Sequence, residues 1–156
     1  MAKKPNQSKT LPIYILNGPN LNLLGTREPE VYGRTTLAEI EKMCAAQAKS
    51  HGLSIVFRQS NREGEIVDHL QEARTSASAV IINPAGYGHT SIAILDTILA
   101  LTIPVIEVHL SNIHRREPYR HLSYVSKGAT GIVMGLGAQG YLRAVDAIAE
   151  ILKVAK

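Results

Sequence analysis

Short runs of apolar, often β-branched residues alternate along the chain with segments in which apolar residues recur every three or four positions. Short continuous runs are typical of strands buried in a parallel sheet, whereas the longer spacing predicts amphipathic helices. The runs predict strands at 12–16, 53–57, 79–82, 105–109 and 130–134. The wider spacing predicts helices at about 36–51, 60–74, 90–101 and 138–154.

Two of these predicted helices carry a capping signal at their start. Thr36 is followed three residues later by Glu39, and Ser60 by Glu63. A hydroxyl residue spaced in this way from a glutamate is typical of a capping box, in which the two residues satisfy each other's free backbone donors. We therefore expect both helices to begin at these hydroxyl residues.

Strands that alternate with helices favour a parallel sheet covered by helices on both faces. For five strands the leading topology is the doubly wound, flavodoxin-like order 2-1-3-4-5. The predicted organisation is a flexible basic tail at 1–11, followed by one catalytic domain at 12–156. Because ligands of such folds bind at the carboxyl ends of the strands, the polar segments 17–34, 83–89 and 109–120 should meet at one edge.

Composition narrows the possible partners. The net charge is only +4, aromatic residues make up 4% of the chain, and no basic stripe is interleaved with them, so no nucleic-acid partner is expected. No apolar run is long enough to cross a bilayer and no secretory signal is recognisable, so no membrane partner is expected. The single cysteine, Cys44, suits the reducing cytoplasm. Arginines beside histidines at 114–121 favour a pocket for a small anion.

Two patterns suggest cofactors, but we favour other interpretations. The sequence GLGAQG at 135–140 follows a strand and opens a helix, like a dinucleotide fingerprint. The chain ends before the second strand and acidic residue that such a site needs, so we expect these glycines to serve a tight turn. His109, His114 and His121 lack the close spacing of common zinc sites. No metal and no cofactor are therefore expected.

The segment 25–33, with the sequence GTREPEVYG, is long for a connection between a strand and a helix. Gly25 and Gly33 could act as hinges of a lid. A tyrosine is almost wholly protonated at neutral pH, and a neighbouring cation stabilises its phenolate. Arg27 can supply that charge, which would make Tyr32 a general base; the alternative is an ordinary surface tyrosine.

Glu107 and His109 lie two residues apart on a predicted strand, so their side chains point to the same face. Glu107 could fix the tautomer of His109 and leave its other nitrogen to transfer a proton. A structural histidine held by a glutamate is an equally open interpretation.

Asp96 lies in a predicted helix that is apolar nearly all round. Such a helix is buried on more than one side, which in so small a domain suggests a subunit interface. We interpret Asp96 as reaching a polar group of a neighbouring subunit, against the alternative of a solvated acid.

Several segments together resemble the type II 3-dehydroquinate dehydratases, also called type II dehydroquinases. The resemblance covers almost the whole chain from about residue 12. Its segments are NGPNLNLLG at 17–25, REPEVYG at 27–33, QSNREGE at 59–65, NPAGYGHTS at 83–91, EVHLSNIH at 107–114 and GLGAQGY at 135–141.

The resemblance implies trans dehydration of 3-dehydroquinate to 3-dehydroshikimate through an enolate, without a metal or a Schiff base. By position, Tyr32 resembles the proton acceptor and His109 the proton donor. Arg27 resembles the lid arginine that stabilises the transition state, and Asn20 the residue that holds a water near the enolate oxygen. An enolate makes stabilisation of negative oxygen the main demand on such a site.

The resemblance also implies a flavodoxin-like fold, a homododecamer built as a tetramer of trimers, and the shikimate pathway of aromatic amino acid biosynthesis. Asp96 resembles a residue lent by the neighbouring subunit. The remaining substrate-binding positions are Asn83, Gly86, His89, Leu110, Ser111, Arg116 and Arg120.

Three residues depart from the family pattern. Arg62 stands where histidine or another polar residue is frequent, Gly88 where threonine is usual, and Leu95 where an arginine commonly precedes the aspartate. We expect Gly88 to loosen the pocket and Leu95 to alter the contact of Asp96.

The alternative function is a non-catalytic flavodoxin-like module that binds an anion or FMN. Bound FMN would colour the purified protein yellow. A receiver module would need an acidic cluster after the first strand, where this chain has Asn17 and Asn20.

Overall fold

The computed structural model describes residues 10–155, and within them five parallel strands form one sheet. The strand order is β2-β1-β3-β4-β5, as predicted. β3 is the central strand, and β1 lies between β2 and β3, with Ile13 opposite Ile55 of β2 on one side and Ala79 of β3 on the other. The strands are β1 Ile13–Asn17, β2 Ile55–Gln59, β3 Ala79–Asn83, β4 Val105–His109 and β5 Gly131–Met134.

Helices cover both faces of the sheet. Successive strand residues point to opposite faces, so Ile13 and Ile15 belong to one apolar core, while Tyr14 and Leu16 belong to the other. α2 and α5 pack on the first core, and α3 and α4 pack on the second. The helices are α1 Pro29–Tyr32, α2 Leu37–Ser50, α3 Glu63–Ser76, α4 Ile92–Leu99 and α5 Gln139–Val154.

The first predicted capping box is confirmed. The Thr36 hydroxyl accepts from the Glu39 backbone N–H at 3.3 Å, and the Glu39 carboxylate accepts from the Thr36 backbone N–H at 2.7 Å. At the other end of α2, the Leu53 backbone N–H donates to the Ala48 carbonyl, and Gly52 takes a left-handed φ of 72°. Because Leu53 still closes the helix, β2 begins two residues later than predicted.

The second predicted capping box is wrong. Arg62, not Ser60, is the N-cap of α3, which begins at Glu63. The Ser60 hydroxyl accepts from the Arg62 backbone N–H at 2.9 Å and donates to the Glu65 carboxylate. Ser60 therefore stabilises the turn before the helix, and the helix starts later.

The segment 17–34, predicted as a loop, contains two short helices. Leu21–Leu23 is a 3-10 helix and Pro29–Tyr32 is α1. Leu21 and Leu24 are buried, which anchors the first part of the segment to the core, whereas residues 28–31 are exposed.

α4 is also shorter than predicted. Its N-cap is Ser91, whose hydroxyl accepts from the Ile94 backbone N–H at 3.0 Å, and the helix ends at Leu99. Most of the predicted basic tail, residues 1–9, lies outside the described residues. Among residues 10–155, no helix is both long and apolar enough to cross a membrane.

Candidate active site

A cavity of about 210 Å³ opens at the carboxyl ends of β1, β3 and β4, where the polar segments were expected to meet. All but two of the predicted site residues line it. Sequence reasoning gave no site role to five further lining residues, which are Pro19, Leu21, Leu24, Ala85 and Ile113. The predicted residues that line the cavity are Asn20, Arg27, Tyr32, Asn83, Gly86, His89, His109, Leu110, Ser111, Arg116 and Arg120.

The two predicted residues that do not line the cavity are Glu107 and Asp96. Glu107 is fully buried in β4, directly behind His109. Asp96 is exposed on α4, on the face where Ile92 and Leu99 are 56% and 62% exposed. Within one chain, therefore, α4 buries only one side, and Asp96 does not reach the cavity of its own subunit.

The lid segment, residues 25–33, holds its shape through unusual backbone angles. Gly25, Glu28 and Gly33 all have positive φ, of 91°, 40° and 80°. A β-carbon on Gly25 would lie 3.0 Å from the Arg34 carbonyl oxygen, so this position is also sterically tight. The two glycines thus bracket α1, whose last residue is Tyr32.

Two guanidinium groups lie against Tyr32. The Arg116 Nη1 donates to the phenolic oxygen at 3.1 Å, and its guanidinium carbon lies 5.2 Å from the centre of the ring. The guanidinium carbon of Arg27 lies 5.3 Å from the same ring. The sequence pointed to Arg27 as the cation beside Tyr32, but the direct hydrogen bond comes from Arg116. Both positively charged groups therefore lie next to the proposed base.

The predicted contact between Glu107 and His109 is present. The imidazole Nε2 lies 2.6 Å from a carboxylate oxygen of Glu107, and both side chains are buried. An ionised carboxylate only accepts hydrogen bonds, so Nε2 carries the proton. Nδ1 is thereby left for a molecule in the cavity.

A second imidazole lies beside the first. The rings of His89 and His109 stack with centres 6.3 Å apart, and the Nδ1 of His89 donates to the Leu122 carbonyl at 2.8 Å. Burial lowers the pKa of His89, and the nearby charges of His109 and Arg120 lower it further, against an opposing effect of the carbonyl. We therefore describe His89 as a neutral polar group of the wall.

Asn83, which lines the cavity, belongs to a hydrogen-bonded set with a second asparagine and a tyrosine. The buried Tyr141 hydroxyl donates to Asn17 at 2.7 Å and accepts from Asn83 Nδ2 at 3.0 Å. Asn83 also accepts from the Ala85 backbone N–H at 3.1 Å. Neighbouring strands pair Asn17 with Asn83 in register, which brings both amides to α5. Nothing in the spacing of the sequence links Tyr141 to these residues.

Sequence reasoning also missed two serines behind the cavity. The hydroxyls of Ser123 and Ser126 both donate to the Glu107 carboxylate. They lie 16 and 19 residues beyond Glu107 along the chain, Ser123 in a loop and Ser126 in the short 3-10 helix Val125–Lys127. No motif or periodicity marks such partners, so only the folded chain identifies them.

The glycine-rich segment after β5 has the structural role expected of it. Gly135 and Gly137 have φ of 85° and 59°, and a β-carbon on Gly135 would lie 3.1 Å from the Asn112 β-carbon. β5 is also one of the two edge strands of the sheet. In the part of the chain that the structure describes, no three His, Cys, Asp or Glu side chains are grouped to hold a metal ion.

The departures from the family pattern have different consequences. Gly88 is buried, and a β-carbon there would lie 2.9 Å from Pro84 Cγ and 3.2 Å from Ser123 Oγ, so the expectation of a looser pocket is wrong. Pro84 already fills the space. Leu95 is half-buried on α4, with its Cδ1 3.1 Å from a β-carbon placed on Gly128. Arg62 is exposed at the start of α3.

The fold and the cavity define a flavodoxin-like α/β protein with arginine, histidine and tyrosine side chains around one small-molecule pocket. Comparison with known proteins specifies the family. The family described as Dehydroquinase class II matches residues 11–149, so the chain belongs to the class II dehydroquinase family.

Individual relatives agree with this family. The chain is 59% identical over 142 residues to the 3-dehydroquinate dehydratase of Phenylobacterium zucineum (strain HLK1), covering 91% of this chain and 98% of that protein. It is 55% identical over 148 residues to the 3-dehydroquinate dehydratase of Streptomyces coelicolor, covering 94% of each. The crystal structure of type II dehydroquinase from Propionibacterium acnes has a TM-score of 0.87 and 41% identity, covering 92% of this chain and 97% of that one.

Proposed function

We propose that the protein is a lyase that dehydrates 3-dehydroquinate to 3-dehydroshikimate by a trans elimination through an enolate. The observation that carries the proposal is the meeting of a phenol and an imidazole in one cavity, each with a charged partner. Arg116 donates to the Tyr32 oxygen, and Glu107 holds His109. Relatives at 55–60% identity named 3-dehydroquinate dehydratase support the same reaction.

In the first step, the Tyr32 phenolate takes the proton from the carbon next to the substrate ketone. The electrons of the broken C–H bond move into the enolate. Arg116, which is hydrogen bonded to Tyr32, and Arg27, which lies over its ring, stabilise the phenolate before this transfer. Asn20 lines the same cavity, and we assign it the role of holding a water molecule near the enolate oxygen.

In the second step, the enolate re-forms the ketone and the carbon–oxygen bond of the departing hydroxyl breaks. The imidazolium of His109 gives its Nδ1 proton to that hydroxyl, which leaves as water. The Nε2–H of His109 stays hydrogen bonded to Glu107, whose negative charge stabilises the imidazolium before the proton is transferred. Tyr32 ends protonated and His109 ends neutral, so a proton exchange with solvent resets the pair.

The other cavity residues bind and orient the substrate. We assign to Arg120 and the Leu110–Ser111 backbone the binding of the substrate carboxylate and of a hydroxyl group. Arg116 and Ser111 are hydrogen bonded to each other at 3.3 Å, which fixes both at the same wall. The remaining assigned binding residues are Asn83, Gly86 and His89.

We also propose that the enzyme is one catalytic domain over 12–156 and assembles as a dodecamer of four trimers. The exposed apolar side chains of Ile92 and Leu99 beside Asp96 support an interface at α4, with Asp96 lent to a neighbouring subunit. Cytoplasmic action in aromatic amino acid biosynthesis completes the proposal. Sedimentation analysis of the wild type and an Ile92→Asp variant tests the assembly, since a charge at the α4 interface should dissociate it into smaller species.

An ultraviolet assay of enone formation from 3-dehydroquinate tests the function directly. We expect activity in the wild type and its loss in both Tyr32→Phe and His109→Ala. An inactive wild type would overturn the proposed reaction, and a yellow purified protein would then indicate the FMN-binding alternative. An active wild type with an undiminished Tyr32→Phe variant would overturn only the assigned base.

A further inference from the structure

Glu107 is the one fully buried carboxylate described in the core, and three side chains donate to it. One oxygen accepts from His109 Nε2 at 2.6 Å and from the Ser123 hydroxyl. The other oxygen accepts from the Ser126 hydroxyl. The proposed mechanism uses only the first of these contacts, so two hydroxyl groups on the carboxylate have no role in it.

An isolated carboxylate in a protein interior is strongly destabilised, and it survives in ionised form only when donors replace its lost water. Burial by itself raises the pKa of Glu107, but the hydrogen bond and the charge of His109, together with the hydrogen bonds of the two hydroxyls, outweigh burial and hold that pKa below its ordinary value. The two serines thus favour the carboxylate over the neutral acid.

The backbone around the serines is held in place by the wall of the cavity. The Tyr124 backbone N–H donates to the Gly88 carbonyl at 2.7 Å, and Val125 between the serines is fully buried. Gly88 leaves no room for a β-carbon between Pro84 and Ser123. The hydroxyl of Ser123 is therefore fixed in its position relative to Glu107 from two sides.

We propose that Ser123 and Ser126 are positioning residues of the dehydratase, which act on the proton donor through Glu107. They keep Glu107 ionised and fix the plane of its carboxylate, so that His109 holds Nε2–H toward Glu107 and presents Nδ1 to the substrate. This role rests on the proposed function. Neither serine lines the cavity, so neither is expected to contribute to substrate binding.

The direction of the effect follows from charge. When the Glu107–His109 pair loses its proton to substrate, the net charge of the pair changes from zero to −1, concentrated on the carboxylate. Hydroxyl donors stabilise the second state more than the first, so their removal raises the pKa at which the pair releases its proton. The pair then becomes a weaker acid.

Other titratable or charged groups face this pair and must stay constant in any test. His89 stacks on His109, and the arginines Arg116 and Arg120 lie in the same cavity with Tyr32. None of these side chains is hydrogen bonded to either serine among the contacts of residues 10–155. Substitution of a serine should therefore change the acid and leave the base and the anion-binding groups in place.

The test compares the pH dependence of kcat and KM for the wild type, Ser123→Ala, Ser126→Ala and the double variant. We expect kcat to fall about tenfold in each single variant and about a hundredfold in the double variant, with KM unchanged within about twofold. We also expect the limb of the kcat–pH profile that reports loss of the acid proton to move to higher pH by about one unit.

Ser60→Ala is the matched control. Ser60 is as buried as Ser123 and also donates to a glutamate, Glu65, but unlike Glu107 that glutamate is not hydrogen bonded, among the described residues, to a side chain that lines the cavity. We expect the control to keep the wild-type pH profile. Ser126→Thr, at a half-buried position, retains the hydroxyl and should recover kcat relative to Ser126→Ala.

An NMR titration of His109 in the free enzyme separates this proposal from the proposed function. His109→Gln identifies its signal, and the titration midpoint should rise in each alanine variant even if the natural substrate were another compound. Unchanged midpoints and pH profiles in folded Ser126→Ala would overturn the positioning role. A rise in KM with constant kcat would also overturn it, since it would indicate a binding role.

Discussion

The lid segment and the end of β4 carry the two halves of the proposed proton transfer, yet they are built in opposite ways. Tyr32 ends a four-residue helix of mostly exposed residues, bracketed by two glycines of positive φ. His109 ends a fully buried strand that pairs with β3 on one side and β5 on the other. The base is placed by local backbone geometry, whereas the acid is placed by the core.

This difference means that substitutions in the two regions should have separable effects. A change in the lid should reduce activity while the sheet keeps its stability. A change behind His109 should reduce both activity and stability, because the hydrogen bonds that orient the acid also satisfy a buried charge. Three substitutions, from the largest expected effect on activity to the smallest, test this separation, with one control variant, and a last substitution tests acid stability away from both regions.

Tyr32→Phe removes the proposed base but keeps the ring between Arg27 and Arg116. We expect kcat to fall by roughly 10²–10⁴-fold, the usual contribution of a positioned base. Thermal unfolding should occur within a degree or so of the wild type, because Tyr32 is only half-buried. A large fall in Tm would show that the lid is part of the core, and would contradict the distinction between a base placed by local geometry and an acid placed by the core.

Glu107→Gln keeps the shape of the side chain but removes the charge that favours the imidazolium. We expect kcat to fall roughly 10–100-fold and the free energy of unfolding to fall by about 1–3 kcal/mol. The amide must donate as well as accept, so it cannot satisfy the imidazole N–H and both hydroxyls as a carboxylate does. Full activity combined with lower stability would leave Glu107 a purely structural role. Denaturant titration and the enone assay measure the two quantities.

Gly33→Ala tests whether backbone geometry alone positions the base. Gly33 has φ 80° and ψ 178°, a region open almost only to glycine, while a β-carbon there meets no atom within 4 Å. We expect about a tenfold loss of kcat/KM with little change in Tm, because the exposed lid can relieve the strain by moving.

Gly64→Ala is the control for that variant. Gly64 lies in α3 with equally open space around it, so alanine should be neutral or slightly stabilising. If Gly33→Ala lowered Tm and kept activity, the strain would be borne by the fold and not by the lid.

Glu72→Gln addresses acid stability at a site remote from both regions. Hydrogen bonds from Arg58 and Tyr14 lower the pKa of Glu72 to about 2. A carboxyl group whose pKa is lowered by folding stabilises the fold fully at pH values above its pKa in the unfolded chain. That stability is lost as the pH falls toward about 2, the pKa in the folded protein. We expect the variant to be less stable than the wild type at neutral pH, to converge with it between about pH 4 and pH 2, and to retain full activity. Unfolding curves at a series of pH values check this, and an undiminished difference at pH 2 would contradict it.

Much of the fold could be predicted from local pattern. The apolar run Val105–His109 is a strand with the predicted bounds, and the Thr36 capping box begins α2 as expected. The Ser60 pattern failed because the same hydroxyl could satisfy a nearer backbone donor. Local hydrogen bonds of this kind compete with one another over a few residues, and the sequence pattern does not rank them.

The sequence by itself determined the strand order and the edge of the sheet at which the polar segments meet, because hydrophobic periodicity and parallel topology follow general rules. It also brought Tyr32 and His109 forward as candidates. Only the tertiary structure decided which donor meets which acceptor. Arg116 is hydrogen bonded to Tyr32 although 84 residues separate them, and Ser123 and Ser126 donate to Glu107 from a loop and a short 3-10 helix. A hydrogen bond depends on distances of a few tenths of an ångström, which separation along the chain does not encode.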